Sequence, residues 1–93
     1  MKLPSQEKSE LRARAHHLEP VVSIGKNGLT KAVLDEIDQA LTAHELIKVR
    51  IGLGDRFIRS EMVDGICDNL GAEFVSTIGG IVILHRKNED KAD

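Results

Sequence analysis

The sequence predicts a single α/β domain, a two-layer sandwich of three helices on a four-stranded mixed sheet. Three observations predict this fold. Apolar residues recur at helical spacing in three segments, short apolar or alternating runs separate those segments, and Gly79-Gly80 joins the last two runs as a hairpin. The element order is α-β-α-β-α-β-β. Strands that alternate with helices pair in parallel through right-handed crossovers, whereas the closing hairpin adds an antiparallel strand.

The first helix is predicted from apolar residues that share one side: Leu11, Ala15 and Leu18. Pro20 ends this helix, and the apolar run 21–24 follows as the first strand. Three basic or titratable residues lie off the apolar line: Arg12, Arg14 and His16. The first helix is therefore expected to present a polar, largely basic side to solvent.

A GxxG loop, Gly25-Lys26-Asn27-Gly28, connects the first strand to the second helix. Its two glycines allow a positive φ and let another backbone approach closely. The helix that follows presents unpaired amide N–H groups and the positive end of its dipole, which favours an anion such as a phosphate. Lys26 adds a mobile positive charge. The motif is weak by itself, because many short glycine-rich loops are only tight turns.

The second helix is predicted to begin after the N-cap Thr30 and to run to about His44. Its apolar stripe repeats every four residues: Leu29, Val33, Ile37 and Leu41. The segment 47–51 then alternates apolar and basic residues, which indicates a half-buried strand. Lys48 and Arg50 share its second face, and they would be open to solvent only if the helices cover the first face alone.

The third helix is predicted to start after Asp55 and to end at Gly71. Glycine is favoured at the position that directly follows a helix. Cys67 lies beside the apolar stripe of this helix, so it is expected to be a small core residue and not a nucleophile. Two strands follow, over 73–78 and 81–86. The second is apolar on both sides, as a central strand would be. Residues 88–93 are polar and are predicted to form a frayed tail.

The charge distribution is more informative than the net charge of −2. Residues 1–31 carry six Lys or Arg against three acidic residues, and residues 48–59 carry four against one. The remaining segments are acidic. A surface with one basic and one acidic face fits this pattern and permits anion binding, although an ordinary solvated surface is the alternative.

Several function classes are not supported by the composition. No apolar run approaches the roughly 18 residues of a membrane span, and the N-terminus lacks an apolar signal core, so a cytoplasmic location is expected. The four histidines are scattered and Cys67 is the one cysteine, so neither a metal nor a cofactor is expected. No catalytic constellation can be nominated, which favours a protein that is not an enzyme.

The aromatic content restricts how a nucleic acid could be recognised. The chain has no Trp, no Tyr and two Phe, of which Phe74 is expected in the core. It therefore lacks the aromatic platforms on which many RNA-binding modules stack bases. If the chain binds RNA, phosphate and sugar contacts are expected to dominate, and these position the RNA without reading much of its sequence.

Several segments together resemble the CRM domain, and in particular the stand-alone bacterial YhbY-like RNA-binding proteins. The matching residues are Leu11-Arg12, Ala15-His16, Leu18, Pro20-Val21-Val22, the run 24–30, the run 44–49, Ile78-Gly79, Leu84 and Arg86. The resemblance spans residues 11 to 87 and implies one domain over residues 1–87. It also implies the βαβαββ core of the C-terminal domain of translation initiation factor three, preceded by an extra helix. A role in maturation of the large ribosomal subunit is implied as well.

The resemblance assigns candidate RNA-binding residues one by one. The positions that match are Gly25, Lys26, Asn27, Gly28, Arg12, His16, Lys48 and Arg86. Arg14 and Lys31 are added because they would extend the basic surface. His85 departs from the family, which often has a tyrosine there, and this puts a stacking role for that position in doubt.

The expected partner is RNA, either large-subunit ribosomal RNA or its precursor particles, bound by a monomer; neither a membrane nor DNA is expected as a partner. The alternative is a protein-interaction adaptor in which the GxxG loop is only a structural turn. The two hypotheses differ in where Lys26, Arg12 and Arg14 lie. Convergence on one basic face favours RNA binding, and dispersal favours the adaptor.

Overall fold

The computed structural model describes residues 5–52 and 54–88. The elements follow the predicted order: α1 Ser5–Ala15, β1 Pro20–Ile24, α2 Lys31–His44, β2 Leu46–Ile51, α3 Arg56–Leu70, β3 Glu73–Ile78 and β4 Ile81–His85. The α/β class and the four-stranded mixed sheet are confirmed. In this described part, every helix is too short or too polar to cross a membrane.

The sheet has the strand order β1-β2-β4-β3. β1 pairs in parallel with β2, whereas β4 pairs antiparallel with both β2 and β3. β4 is therefore an interior strand, as its apolar sequence predicts, and its residues 82–84 are buried. The edges of the sheet are β1 and β3.

The predicted caps of α2 and α3 are confirmed, whereas α1 ends at Ala15, before the predicted stop at Pro20, which instead begins β1. The Thr30 hydroxyl accepts a hydrogen bond from the Val33 amide at 3.2 Å, and the Asp55 carboxylate accepts one from the Ile58 amide at 3.0 Å. Each bond satisfies an amide that the helix itself cannot pair. Gly71 adopts the left-handed conformation, φ 67°, and ends α3.

The main core lies between one face of the sheet and the pair α2–α3. Alternation along β2 directs Ile47, Val49 and Ile51 into this core, where Ile37 of α2 and Ile66 of α3 are also fully buried. This part of the fold is the two-layer sandwich that the sequence predicts.

The first helix packs against the opposite face of the sheet. Leu11 and Ala15 of α1 form a separate buried cluster with Leu46, Val75 and Ile83. Helices therefore lie on both faces, so α1 adds a partial third layer to the predicted two. The spacing of apolar residues identified α1 but could not show which face of the sheet it covers, because an apolar stripe does not specify the surface on which it packs.

Several apolar residues are more exposed than the sequence indicates, among them Leu18, Ile58 and Phe74. Leu18 lies beyond the end of α1 and is 38% exposed. The prediction that Phe74 is a core residue is wrong: it is 37% exposed, and the Lys8 ammonium lies 5.8 Å from its ring centroid. The aromatic ring of Phe74, on the edge strand β3, is thus a partner for the Lys8 cation.

The boundary of the predicted tail needs a correction at its first residue. The Asn88 side-chain amide donates hydrogen bonds to the carbonyls of Leu41 and Thr42 near the end of α2, and the Asn88 backbone N–H donates to the Glu45 carboxylate at 3.1 Å. Asn88 therefore belongs to the folded domain. The rest of the predicted tail, residues 89–93, lies outside the described residues.

Candidate functional site

The GxxG loop is a tight turn whose outer side is open. The Gly28 amide donates to the Gly25 carbonyl at 3.0 Å, and Gly28 has φ +73°. Lys26 and Asn27, at the tip, are exposed. A Cβ atom placed on Gly25 would meet no atom of residues 5–52 or 54–88 within 4 Å, so the backbone there is accessible to a ligand. The glycines thus allow the chain to make a tight turn, and they also leave room for another chain to approach.

Strand pairing places this loop beside the ends of two other strands. Ile24 and Ile51 are parallel partners, so the GxxG loop and the end of β2 lie next to each other. The Ile51 amide donates to the Gly80 carbonyl at 2.7 Å, which brings in the β3–β4 turn. Lys31, the exposed first residue of α2, follows Gly28 by three positions. The positive end of α2 and two lysines therefore meet at one end of the sheet.

Lys48 and Arg50 lie on the sheet face that α2 and α3 do not cover. They alternate with the buried residues of β2; Lys48 is half-buried and Arg50 is exposed. Arg50 pairs with Ser23, one residue before the end of β1. Because α1 covers this face only in part, both cations remain accessible, and Arg50 lies between Lys48 and the GxxG loop.

A groove of about 550 Å³ lies between one side of α1 and the part of this sheet face that α1 leaves uncovered. We call it the α1 groove, and its lining residues are Ser9, Arg12, Ala13, His16, His17, Lys48, Ile78 and Ile83. Among the described residues, no acidic side chain lines it. Within residues 5–52 and 54–88, neither Arg12 nor Lys48 forms an ion pair or a side-chain hydrogen bond. Two cations without acidic partners favour an anion in the groove.

Arg14 lies apart from Arg12. It lines a second, smaller depression of about 360 Å³, together with Glu19, His44 and apolar residues of β1 and β2. The basic residues named for the site therefore converge only in part: Arg12, His16 and Lys48 share the α1 groove, Lys26 and Lys31 lie at the GxxG loop, and Arg14 faces elsewhere.

Arg86 is held in an internal network that joins α2 to the end of α3. Its guanidinium donates to the Asp38 carboxylate at 2.7 Å, to the carbonyls of Leu70 and Asp38 at 3.0 and 3.1 Å, and to the Thr42 hydroxyl at 2.9 Å. The Arg86 side chain is 19% exposed. Because these contacts occupy the guanidinium within the fold, Arg86 is not included in the candidate site.

Five residues of the α1 groove were not predicted from the sequence: Ser9, Ala13, His17, Ile78 and Ile83. Ser9 shares a helix face with Arg12 and His16, so its spacing could have identified it. His17 follows the end of the helix, where spacing no longer predicts direction. Ile78 comes from a strand distant in sequence, and only the tertiary structure brings it to the groove.

Cys67 has the environment of a core residue. Burial raises the pKa of the Cys67 thiol, and the nearby carboxylates of Glu73, Asp64 and Asp68 raise it further. A thiol with a raised pKa is a poor nucleophile at neutral pH. Throughout the described ranges, no group of three or more His, Cys, Asp or Glu residues could hold a metal ion.

Comparison with known proteins agrees with the motifs and the fold. The sequence matches the CRS1/YhbY (CRM) domain over residues 3–86. The chain belongs to this family. Among its CRM-domain relatives, a Haemophilus influenzae protein named as an RNA-binding protein is 44% identical over 88 residues, covering 95% of this chain and 89% of the relative. A Pseudomonas aeruginosa protein named as a probable RNA-binding protein is 39% identical over 88 residues, covering 95% and 85%.

The fold of this CRM domain also matches a solved structure. A Staphylococcus aureus protein proposed to bind RNA superposes with a TM-score of 0.84 at 28% sequence identity, and the match covers 96% of this chain and 93% of that protein. Both the family resemblance and the α/β fold inferred from the sequence are therefore confirmed.

Proposed function

We propose that this CRM-domain protein is a non-catalytic RNA-binding module that grips the RNA backbone with its GxxG loop and the adjacent basic sheet face. The observation that carries the proposal is the open loop backbone at Gly25, next to cations that have no acidic partners in the described structure. The names of its relatives support RNA as the ligand.

The proposed mechanism uses charge and backbone amides. A phosphate enters between the turn and the first residues of α2, where Lys26 and Lys31 neutralise it and the helix dipole favours it. The neighbouring phosphates lie over Arg50 and Lys48 on the sheet. These contacts position an RNA strand, and each one releases condensed counterions, so affinity falls as salt rises.

The RNA that we propose is that of the large ribosomal subunit, in precursor particles whose maturation the protein assists. The motif resemblance supports this part of the proposal. We further propose that the protein acts as a monomer, because a single chain already presents the loop and the basic face together. We also propose that it acts in the cytoplasm.

The test is binding to large-subunit ribosomal RNA and to purified precursor particles across a salt series. The variant Lys26→Ala/Arg12→Ala removes one cation from the GxxG loop and one from the α1 groove. Its matched control, Arg14→Ala/Lys87→Ala, removes the same charge from exposed positions outside these two features. Circular dichroism establishes that each variant is folded.

We expect binding that weakens steeply with salt, a large loss in the first variant and a small loss in the control. Equal binding by both variants would mean that the RNA contacts a part of the protein other than the GxxG loop and the α1 groove. Absence of binding by the wild-type protein would favour the adaptor hypothesis. RNA binding without association with precursor particles would contradict only the proposed role in maturation.

A further inference from the structure

We propose that the α1 groove holds a nucleobase of the bound RNA, while the phosphate next to that base lies against Arg12 and Lys48. The inference rests on the proposed function and adds a base contact to a mode of binding otherwise made of phosphate contacts. It assigns the groove to RNA that is single-stranded at this point, since a paired base cannot leave its helix to enter.

The inner surface of the groove suits a flat ring. Ile78 of β3, 60% exposed, supplies the accessible apolar surface, whereas Ile83 of β4, 1% exposed, contributes only to the buried floor. His16 and His17 line the helix side, with ring centroids 5.5 Å apart and an interplanar angle of 80°. Bases stack on histidine rings as they do on larger aromatic side chains. The groove thus offers stacking surface in a chain that has no Trp or Tyr.

The positive charge of the groove favours an occupant that carries a negative charge in addition to a flat ring. Arg12 and Lys48 enter it from opposite sides, one from α1 and one from β2, and Ser9 adds a hydroxyl. A purely apolar ligand would leave both cations without a counter-charge. An acidic peptide would neutralise them but would not use the rings and isoleucines. A nucleotide matches both features, because its base is flat and its phosphate is negative.

The size and position of the groove fit a nucleotide within a longer strand. Its volume of about 550 Å³ lies within the range of about 300–1,000 Å³ that is usual for ligand sites. Arg50 lies on the same face, about 7 Å beyond Lys48 along β2. Since Arg50 pairs with Ser23 near the end of β1, an RNA strand that leaves the groove passes Arg50 and reaches the GxxG loop.

The experiment separates the base contact from the phosphate contacts. The probes are a single-stranded RNA of mixed sequence, about 12 nucleotides long, and the same backbone with abasic riboses. Four proteins are compared at one salt concentration: the wild type, His16→Ala/Ile78→Ser, His44→Ala and Lys26→Ala. His16, Ile78 and His44 are exposed, so these variants keep the fold. His44 is the matched control because it lines the other depression.

We expect the wild-type protein to bind the base-containing strand at least about fivefold more tightly than the abasic strand, the lower bound for one stacked base. His16→Ala/Ile78→Ser should abolish this ratio and leave affinity for the abasic strand unchanged. His44→Ala should preserve the ratio. Lys26→Ala should weaken binding of both strands alike.

Two outcomes overturn the inference while the proposed function stands. In one, the wild-type protein binds the two strands equally; in the other, the ratio persists in the folded His16→Ala/Ile78→Ser variant. Failure of the wild-type protein to bind either strand, even at low salt, overturns the proposed function and the inference together.

Discussion

Gly25 and Gly28 end the same turn but meet different physical demands. Gly28 has φ +73°, a conformation that costs an L-residue about 1 kcal/mol or more. Gly25 has no such constraint, and a Cβ there would point into open space. The first glycine is therefore free to serve a ligand, whereas the second is needed by the fold.

The variants Gly25→Ala and Gly28→Ala should separate these two roles. Gly28→Ala is expected to lower the free energy of unfolding by about 1 kcal/mol, measured by urea denaturation. Gly25→Ala should change it by less than about 0.5 kcal/mol, yet it should weaken RNA binding because the added methyl group blocks close approach of the strand. Unchanged RNA binding by Gly25→Ala would contradict backbone recognition at the loop.

Arg86 stabilises the fold, and it is not expected to contact RNA. Arg86→Ala removes four hydrogen bonds and leaves carbonyl groups without their donor. We expect a loss of about 2 kcal/mol in the free energy of unfolding. Binding of RNA per folded molecule should not change, which a titration corrected for the folded fraction can measure. Arg86→Lys, which keeps the charge without the planar fork, should be intermediate in stability.

The Cys67 thiol makes stability depend on pH in the alkaline range. Because its pKa is raised in the folded protein, the unfolded chain loses this proton first as pH rises. The stabilising contribution is complete below the ordinary thiol pKa and is lost as pH rises through the folded value. Unfolding curves should show a smaller alkaline loss of stability for Cys67→Ala than for the wild type, and identical pH profiles would exclude the effect.

At the scale of elements, α1 has three distinct sides. One side, with Leu11 and Ala15, packs on the sheet, a second lines the α1 groove, and a third carries Arg14 to the other depression. The amphipathic pattern of α1 revealed the first side only. Helical spacing alone could have separated Arg12 from Arg14, but which of them faces an open groove depends on where α1 lies on the sheet.

Arg12→Ala and Arg14→Ala make a matched pair on this one helix. Each removes one exposed arginine, so their effects on helix propensity and net charge are the same. We expect Arg12→Ala to reduce RNA affinity several-fold and Arg14→Ala to have a much smaller effect in the same binding assay. Equal losses would place the RNA across both sides of α1 and would contradict the path along the sheet.

At the scale of the whole molecule, a net charge of −2 conceals a basic face. The sheet face opposite α2 and α3 carries Lys48 and Arg50, and the GxxG loop adds Lys26 at its end. Binding of an anion depends on this local arrangement and not on the total charge.

The salt dependence of binding should report how many of these cations meet phosphates. Lys48→Ala/Arg50→Ala is expected to reduce the slope of log affinity against log salt by about 0.7 to 0.9 for each lost contact. The measurement is a series of binding isotherms at increasing salt for the wild type and this variant. An unchanged slope would show that the RNA does not cross the sheet face.

The helices and strands of this protein could be predicted without a structure, because the signals for them are local. Helical and alternating periodicity, the caps Thr30 and Asp55, and the stop at Gly71 each act within a few residues, and the structure has them where they were predicted. The GxxG loop and the family motifs are also contiguous, so the family could be identified without a structure.

Which faces of these helices and strands meet depends on long-range packing, and the fold was needed to see it. The tertiary structure placed α1 on the second face of the sheet, opened a groove lined by Ile78 and Lys48, and engaged Arg86 with Asp38. These relations join residues 30 or more positions apart in the chain. An apolar stripe or a basic residue does not specify a distant partner, since burial is non-directional and a charge can be satisfied by solvent, by an acidic side chain or by a ligand.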